Sequence, residues 1–153
     1  MISSVEEFYY LWPTDASNTI TTVFGDKRSR RFHAGIDVRT YGNIGNNIYA
    51  IESGYISRII IGPEGYGKAL YLKLNDGNTA LYAHLDRFHK SIEEKVLSIR
   101  KEKKINFIDE YLRSSELKFN KGDVIGYSGD TGSISGPHLH FEIRDESGLP
   151  INP

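Results

Sequence analysis

The sequence predicts a mainly β fold, an antiparallel sheet or sandwich that forms a groove and carries one short helical insertion. Three observations predict it. Short stretches rich in β-branched and aromatic residues recur along the chain, punctuated by glycine, as in proteins built from many short strands. Several of these stretches alternate with the two-residue period that sends successive side chains to opposite faces of a sheet. Only the region from Ser91 to about Lys118 loses its glycines and takes helical spacing instead.

Taken in order, Thr19 to Phe24, Ile36 to Arg39, Asn47 to Ile51 and Tyr55 to Ile61 read as strands. Lys68 to Leu74 alternates cleanly, with Leu70, Leu72 and Leu74 on one face and Tyr71 and Lys73 on the other. Asn75-Asp76-Gly77-Asn78 is a hairpin turn, because Gly77 adopts positive φ at little cost. Thr79 to Leu85 follows as one strand, with Leu81 and Leu85 on one face and Tyr82 and His84 on the other. In the insertion, about 89–118, Ile92, Val96 and Ile99 form one stripe and Ile105, Ile108 and Leu112 a second. That pattern predicts a charged helical hairpin packed on the edge of the sheet; the alternative is a lid or a docking element for a protein partner. Val124 to Ser128 and His138 to Arg144 complete the strands.

A chain of 153 residues with 39% hydrophobic residues suits one globular domain. We expect a lead-in over 1–19 and the folded domain over 20–153. A formal net charge of -1 gives no broad positive field, which excludes nucleic acid as the expected partner. The absence of cysteine removes disulfides, thiolate metal sites and a cysteine nucleophile together. Any metal must be held by His, Asp or Glu, a donor set suited to zinc or another borderline first-row ion. No apolar run is long enough to cross a membrane as a helix. Met1 to Glu7 has neither the basic start nor the apolar core of an export signal.

The histidines carry the chemistry. In His33-Ala34-Gly35-Ile36-Asp37, Gly35 and the β-branched Ile36 and Val38 argue for an extended chain. His33 and Asp37 then share a face across a glycine that leaves open space between them, while Ile36 and Val38 face the core. In His138-Leu139-His140-Phe141-Glu142-Ile143, two imidazoles and a carboxylate line one face opposite three apolar residues. A polar row of that kind facing inward needs compensation. Separate strands can bring His33, Asp37 and His140 together as three ligands, leaving a fourth position for water as in a catalytic zinc site. His138 would sit beside the metal, and His84 can reach the same cleft. Glu142 is a candidate to orient His138 or His140. His89 reads as surface. No His-Glu-x-x-His helix is present, which excludes a thermolysin-like arrangement.

His33-x-x-x-Asp37, Tyr82-Ala83-His84-Leu85 and Gly136-Pro137-His138-Leu139-His140-Phe141-Glu142 together closely resemble the lysostaphin/LytM-type zinc endopeptidases. Phe24-Gly25, Gly65-Tyr66-Gly67 and Lys121-Gly122-Asp123-Val124-Ile125-Gly126 extend the resemblance in order, from about Ile20 to Pro153. It implies the LytM-like groove built on a duplicated hybrid motif. It implies zinc held by His33, Asp37 and His140, with His84 and His138 as the catalytic histidines that orient or deprotonate water and stabilise the transition state. The substrate implied is the peptide of bacterial peptidoglycan, which places the protein in the periplasm or cell envelope and makes Met1 the start of a trimmed part of a longer exported protein. A non-catalytic relative, binding cell-wall peptide or activating another hydrolase with its groove restricted by the insertion, is the alternative.

Overall fold

The computed structural model describes residues 9–153, so the reading of Met1 to Glu7 lies outside the described residues. The elements run β1 (Ile20–Thr22), β2 (Ile36–Arg39), β3 (Asn47–Tyr49), β4 (Gly54–Ile61), β5 (Lys68–Leu74), β6 (Thr79–Ala83), β7 (Leu85–Phe88), α1 (Lys90–Lys103), β8 (Ile108–Tyr111), β9 (Lys118–Phe119), β10 (Val124–Ser128), β11 (His138–Arg144) and β12 (Pro150–Ile151). The large sheet follows the order β1-β2-β11-β6-β5-β4-β8, with β12 beside β11 and β9 beside β4. A smaller sheet has the order β3-β10-β7. Both are antiparallel, as short strands joined by tight turns predict.

The core lies between the sheets. Val38, Leu139, Phe141 and Ile143 from one end of the large sheet meet Leu70, Leu72, Ile56 and Ile59 from the other, and Ile48 and Ile125 from the small sheet close over them. The alternation read for β2, β5 and β11 therefore puts the expected faces inward. The turn after β5 also forms as expected. Gly77 has φ +95°, its N–H donates to Leu74 O at 3.1 Å, and Leu74 N–H donates to Asn78 O at 2.8 Å.

Three expectations need correction. First, Thr79 to Leu85 is not one strand. His84 adopts φ 62° and divides β6 from β7, so the face assignment inverts. Tyr82 goes to the core, where its hydroxyl accepts from Ile51 N–H at 3.1 Å, whereas Leu81 packs with Ala69 and Ala83 beneath Tyr66 and Tyr71. The left-handed residue turns His84 away from Tyr82's face and into the cleft.

Second, the insertion is half helical. α1 buries Ile92, Val96 and Ile99 as the first stripe predicts. Lys104 then takes the left-handed conformation and its N–H bonds Arg100 O, which ends the helix. Of the second stripe, Ile108 opens β8 and pairs with Ile61 on the open edge of β4, while Ile105 and Leu112 lie just outside that strand. Edge pairing satisfies a row of backbone groups that a second helix would leave open. Arg58 secures the join with bonds of 2.7 Å from both Nε and Nη2 to Asp109, its guanidinium over the Tyr71 and Tyr111 rings.

Third, His89 is a helix cap. Its Nδ1 accepts from Ser91 N–H at 3.1 Å, satisfying a donor that the first turn of α1 leaves open.

Candidate metal centre and cleft

Strand register assembles the site. β2 and β11 run antiparallel with Asp37 opposite His140 and Arg39 opposite His138. On its other side His140 faces Ala83, so the left-handed residue after Ala83 brings the His84 ring within 5.9 Å of His140. His33 precedes β2 at the end of a hairpin closed by bonds between Gly25 N–H and His33 O and between His33 N–H and Asp26 O, each 2.8 Å. Gly35 does not leave open space, contrary to the sequence reading. A Cβ there would stand 2.1 Å from Phe141 O; the glycine lets the chain before β2 approach the backbone of β11.

His33, Asp37 and His140 come together. His33 Nε2 lies 3.2 Å from Asp37 Oδ1 and 3.1 Å from His140 Nδ1, and His140 Nδ1 lies 3.0 Å from the same oxygen. All three residues are buried, and each offers one ligand atom to a common point. The opposite side of each ring explains why. His33 Nδ1 is 2.9 Å from Val23 O, an acceptor, so that nitrogen holds a proton and Nε2 presents a lone pair. His140 Nε2 is 2.9 Å from Glu142 Oε1, which likewise leaves Nδ1 as the ligating nitrogen.

These donors fit a metal ion. Zinc–nitrogen bonds of about 2.0–2.1 Å in a tetrahedron separate ligand atoms by about 3.3 Å, close to the spacing here. Two lone pairs and a carboxylate oxygen packed so closely repel unless a cation sits among them, either a shared proton or a metal. Burial alone would raise the Asp37 carboxyl, but the hydrogen bond from His140 and the charges of His138, His33 and His140 hold it at about 2. Burial pushes His140 towards its neutral form, and hydrogen bonds to Asp37 and Glu142 outweigh it, raising its pKa. A metal takes the place of that proton.

Glu142, fully buried, orients His140 rather than His138. It accepts from Tyr66 OH at 2.6 Å, and Arg144 Nε donates to its other oxygen at 2.9 Å. Burial pushes this carboxyl up, and bonds from His140 and Tyr66 with the Arg144 charge more than reverse it. Tyr66 also stacks on the His140 ring, centroids 5.6 Å apart. Sequence reasoning gave neither Tyr66 nor Arg144 a role. The period-two pattern of β11 carries a signal for Arg144, two residues beyond Glu142; nothing local does so for the tyrosine.

His84 and His138 stand beside the cluster without joining it. Their ring centroids are 4.9 Å apart. His84 Nδ1 donates to Thr131 O at 2.8 Å and His138 Nδ1 to Gly136 O at 3.0 Å, which leaves each Nε2 for the cleft. His138 Nε2 lies 3.6 Å from Asp37 Oδ1. Burial pushes His84 down to about 4, against the bond to Thr131, so it is neutral at physiological pH. Its left-handed backbone costs about 1–2 kcal/mol, a strain that persists where the surroundings impose it.

The cleft holds about 1210 Å³, more than the roughly 300–1,000 Å³ of a small-molecule pocket and enough for an extended peptide. Two loops shape its rim. Lys68 N–H donates to Thr131 Oγ1 at 3.0 Å, Gly65 N–H to Ser133 Oγ at 2.9 Å, and Ser133 N–H to Gly65 O at 3.0 Å. Gly67 and Gly132 meet back to back: a Cβ on either would fall 2.4 Å from the opposite loop's backbone. Among the described residues, the cleft lining includes none from 89–118. β8 stands four strands from β11, roughly 19 Å at about 4.8 Å per strand.

A mainly β sheet carrying this cluster, with two further imidazoles in a peptide-sized cleft, defines a metallopeptidase-type domain. The chain belongs to Peptidase family M23, whose description matches residues 31–114 and 104–153. It is 32% identical over 124 residues to the DD-carboxypeptidase/endopeptidase Mpg of Neisseria meningitidis serogroup B, covering 80% of this chain and 22% of that protein. A zinc-containing peptidase from Vibrio cholerae superposes with a TM-score of 0.69 at 25% identity, over 95% of this chain and 39% of the other. The catalytic domain of lysostaphin from Staphylococcus simulans superposes with a TM-score of 0.60 at 25% identity, over 88% of each chain. The lysostaphin-type fold and resemblance read from the sequence are thus borne out.

Proposed function

We propose that this chain is a zinc-dependent endopeptidase that hydrolyses peptide cross-links or bridges of bacterial peptidoglycan, working in the periplasm or cell envelope with 20–153 as its peptidase domain. The observation that carries the proposal is the pair of imidazole lone pairs and one carboxylate oxygen at mutual distances of 3.0–3.2 Å. His33, Asp37 and His140 would hold the zinc. Zinc supplies a Lewis acid that brings a water's pKa towards neutrality and polarises a carbonyl. His84, neutral and with Nε2 facing the cleft, accepts a proton from the attacking water. His84 would then pass that proton to the leaving amine, and His138, as an imidazolium with Nδ1 held by Gly136 O, would hydrogen-bond the developing oxyanion through Nε2–H. Tyr66 and Glu142 keep His140 in its ligating tautomer.

The insertion does not line the cleft among the described residues, which speaks against a groove restricted by it. The test incubates the zinc-loaded protein with purified peptidoglycan, with and without a chelator, and identifies released fragments by mass spectrometry. Chelator-sensitive peptide-bond cleavage supports the proposal; bound zinc without cleavage refutes it.

A further inference from the structure

We infer that the cleft selects peptides presenting free carboxylates beside the bond to be cut, through Arg28, Arg31 and Arg39. The inference rests on the peptidase reading above and concerns which peptide that site takes. All three arginines line the cleft. The acids lining it are Asp37 and Glu142, and both are committed, one to the imidazole cluster and the other to His140, Tyr66 and Arg144. The charge left for a ligand is therefore positive, although the whole chain carries a net charge of -1.

The arginines are also placed. Arg39 lies two residues beyond Asp37 on β2 and opposite His138, so its side chain leaves the same face of the sheet. The step is roughly 7 Å, two residues of extended chain. Arg28 Nη2 stands 3.6 Å from Asp37 Oδ2 with its side chain 46% exposed. Arg31 lies in the same hairpin, where Arg28 N–H donates to Arg31 O at 2.7 Å. Among the described residues, the arginines in ion pairs are Arg28, Arg58, Arg87 and Arg144; Arg31 and Arg39 have no carboxylate partner. Arg39 rests over the Tyr41 ring at 5.6 Å.

A guanidinium fork matches a carboxylate with two parallel bonds. A neutral polyglycine segment offers carbonyl oxygens but no carboxylate to receive the paired, charge-assisted bonds. An extended substrate repeats with the same two-residue step as β2, so a carboxylate two residues from the scissile bond meets Arg39, and one nearer the bond meets Arg28.

The test uses two probes: a stem-type peptide with free side-chain and terminal carboxylates, and the same peptide with those groups converted to carboxamides. Calorimetry on the chelator-treated chain reads binding without turnover. We expect the carboxylate form to bind at least about fivefold tighter, as charge-assisted contacts at exposed sites allow, with the advantage shrinking as salt is added. In the double variant Arg31→Gln, Arg39→Gln, with its fold checked by circular dichroism, the ratio falls towards one. Equal affinity for both peptides, or discrimination retained by the double variant, overturns the inference. If the zinc-loaded chain cuts both peptides but binds them equally, the peptidase reading stands and the inference falls. If it cuts neither yet prefers the carboxylate form, the inference stands and the peptidase reading falls.

Discussion

The two ends of the large sheet hold hydrogen bonds of similar length to opposite effect. At the β2–β11 end, His33, Asp37, His140 and Glu142 are buried and each polar atom meets a specific partner. At the β8 end, Lys103 bonds Glu110 at 2.6 Å and Lys95 bonds Glu116 at 2.8 Å in open solvent, beside exposed Phe107 and Tyr111. Water competes for every partner at the second end and for far fewer at the first, where the four residues are buried. Distance alone therefore says little about what an interaction contributes. Burial decides, because a buried group that loses its partner has no substitute.

The sharpest way to break this comparison is His140→Ala. It removes a ligand atom and one of the partners of buried Glu142. We expect loss of stoichiometric zinc by elemental analysis, turnover down at least about 10³-fold, and about 3 kcal/mol less stability. Zinc retained at full occupancy would sink the assignment. Ile99→Ala, in the apolar stripe of α1, is expected to cost about 2–4 kcal/mol by urea unfolding with zinc content unchanged, separating core packing from the site. Glu142→Gln should weaken metal binding about 10–100-fold in competition with a chelating dye; an unchanged affinity would mean that His140 needs no orienting partner.

A pH effect comes next. His84 has a folded-state pKa of about 4 against an ordinary 6.5, so the unfolded chain binds more protons between those values. Metal-free protein should lose stability as pH falls from 6.5 towards 4, and His84→Ala should remove that component. Denaturant midpoints at both ends of the window check it. Smallest of all, Lys95→Ala should change stability by less than about 1 kcal/mol.

These two ends also differ in how far they could be read in advance. Ile36 and Val38 facing the core, and Leu139, Phe141 and Ile143 opposite the histidine face, follow from alternation alone; the register that sets Asp37 opposite His140 does not. His84 was read as reaching the cleft, but the strand break it makes was not legible, because a left-handed residue inside a strand-like run leaves no compositional mark when it is not glycine. Tyr66 was hidden for another reason: its partners Glu142 and His140 lie more than seventy positions away. In the insertion, Ile105, Ile108 and Leu112 fit a helical period, yet the open edge of β4 claimed Ile108. Short apolar patterns yield to an unpaired strand edge.

The meeting of Gly67 with Gly132 bears on how such a protein changes over generations. A side chain at either position would strike the backbone of the other loop, so neither glycine can drift while its counterpart stays in place. A lineage that remodels this rim must alter both loops together, and His84, tied to Thr131 O, would shift with them. Single-step diversification is left to the exposed tip of the hairpin that carries Arg28 and Arg31, short of His33 at its base. The molecule thus divides the cleft into one side resistant to piecemeal change and one open to it.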